Sequence, residues 1–413
     1  MIEIISLLAI VLAIAIGFWK NINVGLIALA FSLILGYYIG GIPINTIIGY
    51  WPIKLFFTTF GITLLFSIAK LNGTLEKISQ FIIFQSRGRK VLIPIIFYVL
   101  AVVIASVGPG NISTSALLLP IGLAIAFQTG ISILMMSSLI ILGSIAGGLS
   151  PLAPNGIVAL DLALNNGVGN LGYSIFAFNV LSMTIFSIIV FIFLGGLKLR
   201  GNRVDISKPE KFDRKQIYTM VVILILVLWV IISGINVGFA AFALSAVLLI
   251  LKAADQNESI KHVPWSTLLL ICGTAVLISV VSELGGVDLL TSFLASLMNQ
   301  QTAVPIMAVL SGVMSIFSSA VGVVMPTLIP TTVSLAGELG NVVSPAVLTI
   351  TIAVASHIVT MSPFSTMGAL ALASSPETID KKKLFKDLFI MAFSSLLFIA
   401  LFLGLMVAIG YLN

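Results

Sequence analysis

Between two apolar runs, at about residues 90–105 and 116–128, the chain reads Ser106-Val107-Gly108-Pro109-Gly110-Asn111-Ile112-Ser113-Thr114-Ser115. Two glycines, a proline and five uncharged hydrogen-bonding side chains interrupt sequence that is oily on both sides. Backbone N–H and C=O groups facing lipid have no partners, so irregular backbone at membrane depth has to be buried in protein or line a wet cavity. The spacing predicts a helix beginning just after Asn111, with free N–H groups and the positive end of its dipole aimed into that cavity. Such an end can hold an anion without a charged side chain.

The membrane premise comes from composition. Of 413 residues, 59% are hydrophobic and 8% charged, against about 25% charged in a soluble domain. The apolar runs reach the roughly 20 residues of a helical crossing and do not alternate as barrel strands do. The fold class is therefore an all-α polytopic membrane protein. The excess of 20 Lys+Arg over 14 Asp+Glu sits in loops and reads as a topology signal, not as a nucleic-acid surface. The lone Cys272 allows no internal disulfide. The first apolar run has no basic flank or small-residue cleavage site, so it is expected to be retained.

Residues 4–19, 24–42 and 52–70 read as crossings, 43–50 as a polar loop and 74–86 as an interfacial amphipathic stretch. The run 131–165 is too long for one crossing. It is interrupted by Gly147-Gly148-Leu149-Ser150-Pro151-Leu152-Ala153-Pro154-Asn155-Gly156, which reads as a broken helix. Residues 172–197 cross again, and the charged segment 198–215 reads as a cytoplasmic linker.

The second half repeats the first. Ile22-Asn23-Val24-Gly25 recurs as Ile235-Asn236-Val237-Gly238. Trp51 answers Trp265, Gly61 answers Gly273, Gly73 answers Gly286, Pro120 answers Pro330 and Pro154 answers Pro363. A colinear series of this kind marks an internal repeat. Residues 1–197 and 216–413 form the two copies, with hairpins at about 90–128 and 303–336 and broken helices at about 131–165 and 344–375. Placing the clusters Arg87–Lys90, Lys198–Lys215 and Lys381–Lys386 in the cytoplasm puts both termini outside. Each half then has about five transmembrane helices plus one re-entrant helical hairpin, and the second half runs upside down. Two inverted repeats with discontinuous helices at the midplane are the plan of a secondary transporter in a cell membrane.

The repeat pairs the Asn111 stretch with Ser315–Gly322, and the Ser150–Gly156 break with Thr360–Thr366. Each break frees carbonyls at one half-helix end and N–H groups at the other. Carbonyls with side-chain oxygens suit a hard cation, and the N–H ends suit a carboxylate. Asn111 is the foremost candidate substrate contact, with a plain helix cap as the blander role. Ser113, Thr114, Ser318 and Ser319 either line the site or bond their own backbone. Pro154, Asn155, Pro363, Ser365 and Thr366 at the breaks complete the candidate substrate-site residues, with Pro154 and Pro363 acting by freeing carbonyls. One cation site is expected from Gly108, Gly110, Asn111 and Ser150, and a second from Ser318, Ala320, Thr360 and Ser362. Gly143, Gly147 and Gly148 are expected to be helix-packing contacts.

Ionisable groups at depth are few. Lys54 can snorkel from a helix end, and Asp161, Glu338 and Glu283 fall near the outer surface or a helix end. His357, just before the second break, reads as a neutral structural histidine, or else as a substrate contact or proton carrier. With no arginine in the expected core, dipoles and co-bound cations would neutralise an anion, and the scarcity of buried carboxylates favours Na⁺ over protons. No other cofactor is expected. Neither His-Glu-x-x-His nor Gly-x-Ser-x-Gly occurs, so no enzyme is expected. A proton-coupled or uncoupled exporter using His357 or Asp161 is the alternative. An intramembrane enzyme and a channel fit less well.

Gly110-Asn111-Ile112-Ser113-Thr114 with the following Leu-Leu-Leu-Pro120, and Pro154-Asn155-Gly156-Ile157 at the break, resemble the divalent anion/sodium symporters of the ion-transporter superfamily. Ile22-Asn23-Val24-Gly25 and Asn72-Gly73-Thr74-Leu75-Glu76 are similar to the amino-terminal region of MatC-type dicarboxylate carriers. The resemblance implies a homodimer with a scaffold and a mobile part moving as an elevator, Na⁺ at the two tips and a dicarboxylate between them. A Na⁺-coupled importer of small organic anions, C3–C4 dicarboxylates foremost, is the expected function. That family carries Ser-Asn-Thr in both tips. Here only Asn111 of the first triplet is present, and the second tip reads Ser318-Ser319-Ala320. A monocarboxylate, a small sugar acid or another coupling ion stays open.

Overall fold

The computed structural model describes residues 1–413 apart from 21, 85–88, 200–207, 234, 318, 377 and 411–413. Ser318, Arg87 and residues 200–207 of the linker therefore lie outside the described residues. Every regular element among the described residues is helical. Seven helices are long and apolar enough to cross a membrane, from Ile44–Leu71 to Lys381–Ala408.

The helices fall into two successive sets in the same order. A helix at Ile2–Lys20 is answered by Arg214–Ser233, Val24–Phe31 by Val237–Ile250, and Ile53–Leu71 by Trp265–Glu283. The short amphipathic Thr74–Phe84 is answered by Gly286–Leu297. A hairpin follows in each set, Leu92–Val107 with Gly110–Thr129, then Ala303–Phe317 with a kinked arm Ala320–Glu338. A broken helix comes next, Ile133–Gly148 with Pro154–Asn165, then Pro345–Ile358 with Thr366–Ser374. Gly172–Phe193 and Lys381–Ala408 close the sets.

Three local expectations need correction. Residues 43–50 are not a loop: Ile44–Gly49 is a short helix, matched by Gln256–Lys261. The first hairpin's return helix begins at Gly110, so Asn111 lies in its first turn and not before it. Pro154 does not answer Pro363. Pro154 is the first residue of its half-helix, as Thr366 is of its own, so the proline matching Pro363 is Pro151, in Ser150-Pro151 against Ser362-Pro363.

The repeated Ile-Asn-Val-Gly explains how the sets lock together. Asn23 accepts from Gly25 N at 2.9 Å and donates to the Ser266 carbonyl at 2.7 Å. Asn236 accepts from Gly238 N at 3.0 Å and donates to Thr58 Oγ1 at 3.2 Å. Each asparagine thus caps its own helix and ties it to the long helix of the opposite set. Each glycine lets backbones touch: a methyl at Gly25 would sit 2.1 Å from Leu269 O, and one at Gly238 2.4 Å from Thr58 Cα. These crossed pairs make a scaffold. The hairpins and broken helices pack together beside it, Leu92–Val107 along Ile133–Gly148 and Ala303–Phe317 along Pro345–Ile358.

Candidate functional site

The first tip turns on two glycines. Gly108 has φ +150° and Gly110 φ +73°, both costly for a residue with a Cβ. The Phe66 ring occupies the place where a Cβ on Gly108 would stand. Beyond the turn, the tip rests on the first break: a methyl at Gly110 would lie 3.1 Å from Pro154 Cδ, and one at Gly148 3.0 Å from Asn111 Cβ. Gly143 and Gly147 are the packing contacts, seating Ile133–Gly148 against the Tyr98 and Val102 carbonyls.

A chain of hydrogen bonds runs from this tip to the other half of the molecule. Ile112 N donates to Asn111 Oδ1 at 2.9 Å. Asn155 Nδ2 donates to the same oxygen at 3.1 Å and meets His357 Nε2 at 3.0 Å. His357 Nδ1 lies 2.8 Å from the Ala353 carbonyl. A carbonyl only accepts, so Nδ1 carries the proton and Nε2 is the acceptor for Asn155. The ring is fully buried. Asn111 Nδ2 and Asn155 Oδ1 have no partner among the described residues, and neither is among the sealed, unpaired polar atoms. Both therefore reach open space, one as a donor and one as an acceptor.

Around the pair, Thr114 and Ser115 bury hydroxyls that have no protein partner among the described residues, whereas Ser113 is exposed on the far side of the helix. Ser150 is buried and accepts from Leu152 N at 3.2 Å.

The second tip and break are built alike but furnished differently. Ser319 caps the returning arm, accepting from Gly322 N at 3.0 Å. Ala320 opens a π-helical turn, Ala320–Val324. At the break, Thr360 donates to His357 O at 2.6 Å, and Ser365 donates to the Thr360 and Ser362 carbonyls. Ser362 is fully buried and accepts from Phe364 N at 3.3 Å. Pro363 is buried beside it and Thr366 is exposed. Hydroxyls here satisfy local backbone. Both breaks share one device: a methyl at Gly156 would lie 2.0 Å from Ser150 O, and one at Gly368 2.1 Å from Ser362 O.

The halves cross. Thr366–Ser374 packs along the first hairpin's arm Gly110–Thr129, and Pro154–Asn165 packs against Ala320–Val324. The crossing is approached from two sides. A cavity of about 200 Å³ reaches the first break at Pro151 and Ile157, and shares Leu55 and Asp161 with one of about 540 Å³ beside Trp51 and Glu283. A smaller cavity, about 40 Å³, reaches the tip at Pro109 and Ser113. The helix Ile53–Leu71 lines all three, through Lys54 and Thr58 at one end and Ser67 and Lys70 at the other.

The pairing of Asn155 with His357 escaped sequence reasoning, although both residues were candidates. They stand 202 positions apart, and no local pattern links them. Phe66 behind Gly108 carried no signal at all.

Residues 1–148 match the family model described as dicarboxylate carrier protein MatC N-terminus. The likeness to MatC-type carriers read from the sequence is met over that region. No curated protein matches the chain. The fold is similar to the crystal structure of the Alcanivorax borkumensis YdaH transporter, described as having an unusual topology. The TM-score is 0.61 and the identity 14%, over 89% of each chain. The chain is thus a multi-pass membrane protein that shares the fold of that structure, and its residues 1–148 match the dicarboxylate-carrier family model.

Proposed function

We propose that this chain is a secondary active transporter that imports small organic anions, C3–C4 dicarboxylates foremost, together with Na⁺. The observation that carries the reading is the crossing of hairpin arms and broken helices, where an amide donor on Asn111 and an amide acceptor on Asn155 have no partner among the described residues. A carboxylate needs donors and a hard cation needs oxygens. Neutral amides and helix ends supply both without a buried charge, so anion and cation lower each other's cost of entry. The dicarboxylate assignment is supported by the MatC match.

On this reading the two tips and breaks run in opposite senses through the bilayer, as inverted repeats. One cation lies among Gly108, Gly110, Asn111 and Ser150, and another near Ala320, Thr360 and Ser362. The crossed pairs around Gly25 and Gly238 stay still, and the hairpins and broken helices slide as an elevator. Cavities at both ends of one scaffold helix support that movement. A homodimer, with both termini on the outer face of a cell membrane, completes the proposal.

The test is uptake of C3–C4 acids into proteoliposomes under separate Na⁺ and pH gradients. Uptake driven by inward Na⁺ supports symport. Asp161 lines two cavities and favours one rival, proton coupling. Uptake driven by pH alone would establish that rival and remove Na⁺ symport. A thermal-shift screen of organic acids with and without Na⁺ finds the ligand independently, since specific binding raises stability by mass action.

A further inference from the structure

An asparagine side chain presents a donor on one side and an acceptor on the other, and its own geometry does not choose between them. At the crossing the choice is made by bonds whose two ends lie in the backbone. At one end the Ile112 N–H can only donate, 2.9 Å from Asn111 Oδ1. At the other the Ala353 carbonyl can only accept, 2.8 Å from His357 Nδ1. We propose that His357 is a positioning residue. Its unprotonated Nε2 fixes the sense of the Asn155 and Asn111 amides, so that Asn111 turns its NH₂ to the anion's carboxylate and Asn155 turns its carbonyl to the cation. This rests on the transport reading above.

The argument is one of reversal. Both Asn155 Nδ2 hydrogens are used, toward Asn111 Oδ1 and His357 Nε2. Turning the Asn155 amide over would set its oxygen against two acceptors. Turning Asn111 as well would set an NH₂ against the Ile112 N–H. Neither backbone group can turn, because each belongs to a helix. The arrangement with Nε2 bare is the one that satisfies every member, and unsatisfied buried members are costly. Among the described residues the device exists once. At the matching positions of the opposite set stand Ile145, Val321 and Met367, each at the same place in its helix as His357, Asn111 and Asn155. None of these three side chains has a polar hydrogen to direct.

The tests separate positioning from bulk structure and from proton carriage. With only two histidines in the chain, nitrogen-15 histidine NMR of the purified protein, with His262→Gln for assignment, reads the His357 ring directly. The expected signature is the Nδ1–H tautomer. An Nε2–H tautomer or an imidazolium at neutral pH overturns the proposal. In uptake, His357→Gln returns an amide oxygen close to the former Nε2 and is expected to keep the anion KM within about threefold of wild type. His357→Leu removes the acceptor, with an expected rise in anion KM of about tenfold and a smaller change in kcat. Asn111→Asp keeps the acceptor for Ile112 and Asn155 but removes the NH₂. It should lose anion affinity roughly 100-fold while Na⁺ alone still raises the melting temperature. Wild-type KM in His357→Leu, or loss of transport in His357→Gln equal to that in His357→Leu, defeats positioning. Failure of wild type to carry any organic acid would remove the transport reading, while the NMR signature would still decide the tautomer.

Discussion

The two tips and breaks hold matched places in the fold, yet they differ in what they offer. Both breaks follow a Ser-Pro step, and both close a glycine against the preceding serine carbonyl, at Gly156 and Gly368. In the first, two amides and a histidine form a directed chain with a free donor and a free acceptor. In the second, Thr360 and Ser365 spend their hydroxyls on nearby carbonyls, and Val321 and Met367 stand where the amides would be. Architecture is kept in duplicate, and on the proposed reading recognition falls on one side, so that one carboxylate of the substrate would meet the amides and its other end mainly backbone and apolar surface. That asymmetry speaks for tolerance at the second end of the anion.

The sharpest way to break the comparison is to truncate matched positions. Asn111→Ala is expected to lower uptake kcat/KM roughly 100-fold with folding intact, the worth of a hydrogen bond to a charged group. Its counterpart Val321→Ala should leave KM nearly unchanged. Equal losses from both would mean that the second tip also reads the substrate. Next come the matched glycines. Gly156→Ala and Gly368→Ala each force a methyl into a backbone carbonyl, at an expected cost of about 2–3 kcal/mol in thermal or denaturant unfolding. A large loss from one and none from the other would show that the breaks are not built alike. The smallest contrast is between hydroxyls. Thr114 has no protein partner among the described residues, so Thr114→Val should change stability by less than about 0.5 kcal/mol. If that hydroxyl meets the substrate, uptake should fall about fivefold. Ser365→Ala, whose hydroxyl serves Thr360 and Ser362, should lower stability and leave KM unchanged.

Much of the plan was legible before any coordinates. Apolar runs interrupted by Gly, Pro and Asn mark where helices stop, because a proline removes a bond and irregular backbone cannot face lipid. The hairpins, both broken helices and the repeat order followed from that. The errors were local. The return helix starts at Gly110 because Gly108 and Gly110 take conformations with positive φ that complete the turn earlier, which letters alone do not show. The short helix Ile44–Gly49 was hidden by its polar look and neighbouring proline. Matching Pro154 to Pro363 by type overlooked that a half-helix can begin with or without a proline at its first position, and the Ser-Pro step is what the two copies share.

Within the site the division is sharper. Asn111, Asn155 and His357 could each be singled out by residue type, since few polar groups occur at depth. What each does could not, because an amide's sense and a ring's tautomer depend on partners 44 and 202 positions away. Composition and interruption by themselves determined a membrane protein of paired, broken helices, because lipid accepts no unpaired backbone. Tertiary packing alone decided which side of each amide is spent and which is left free, because hydrogen bonds have direction and only the folded backbone sets it.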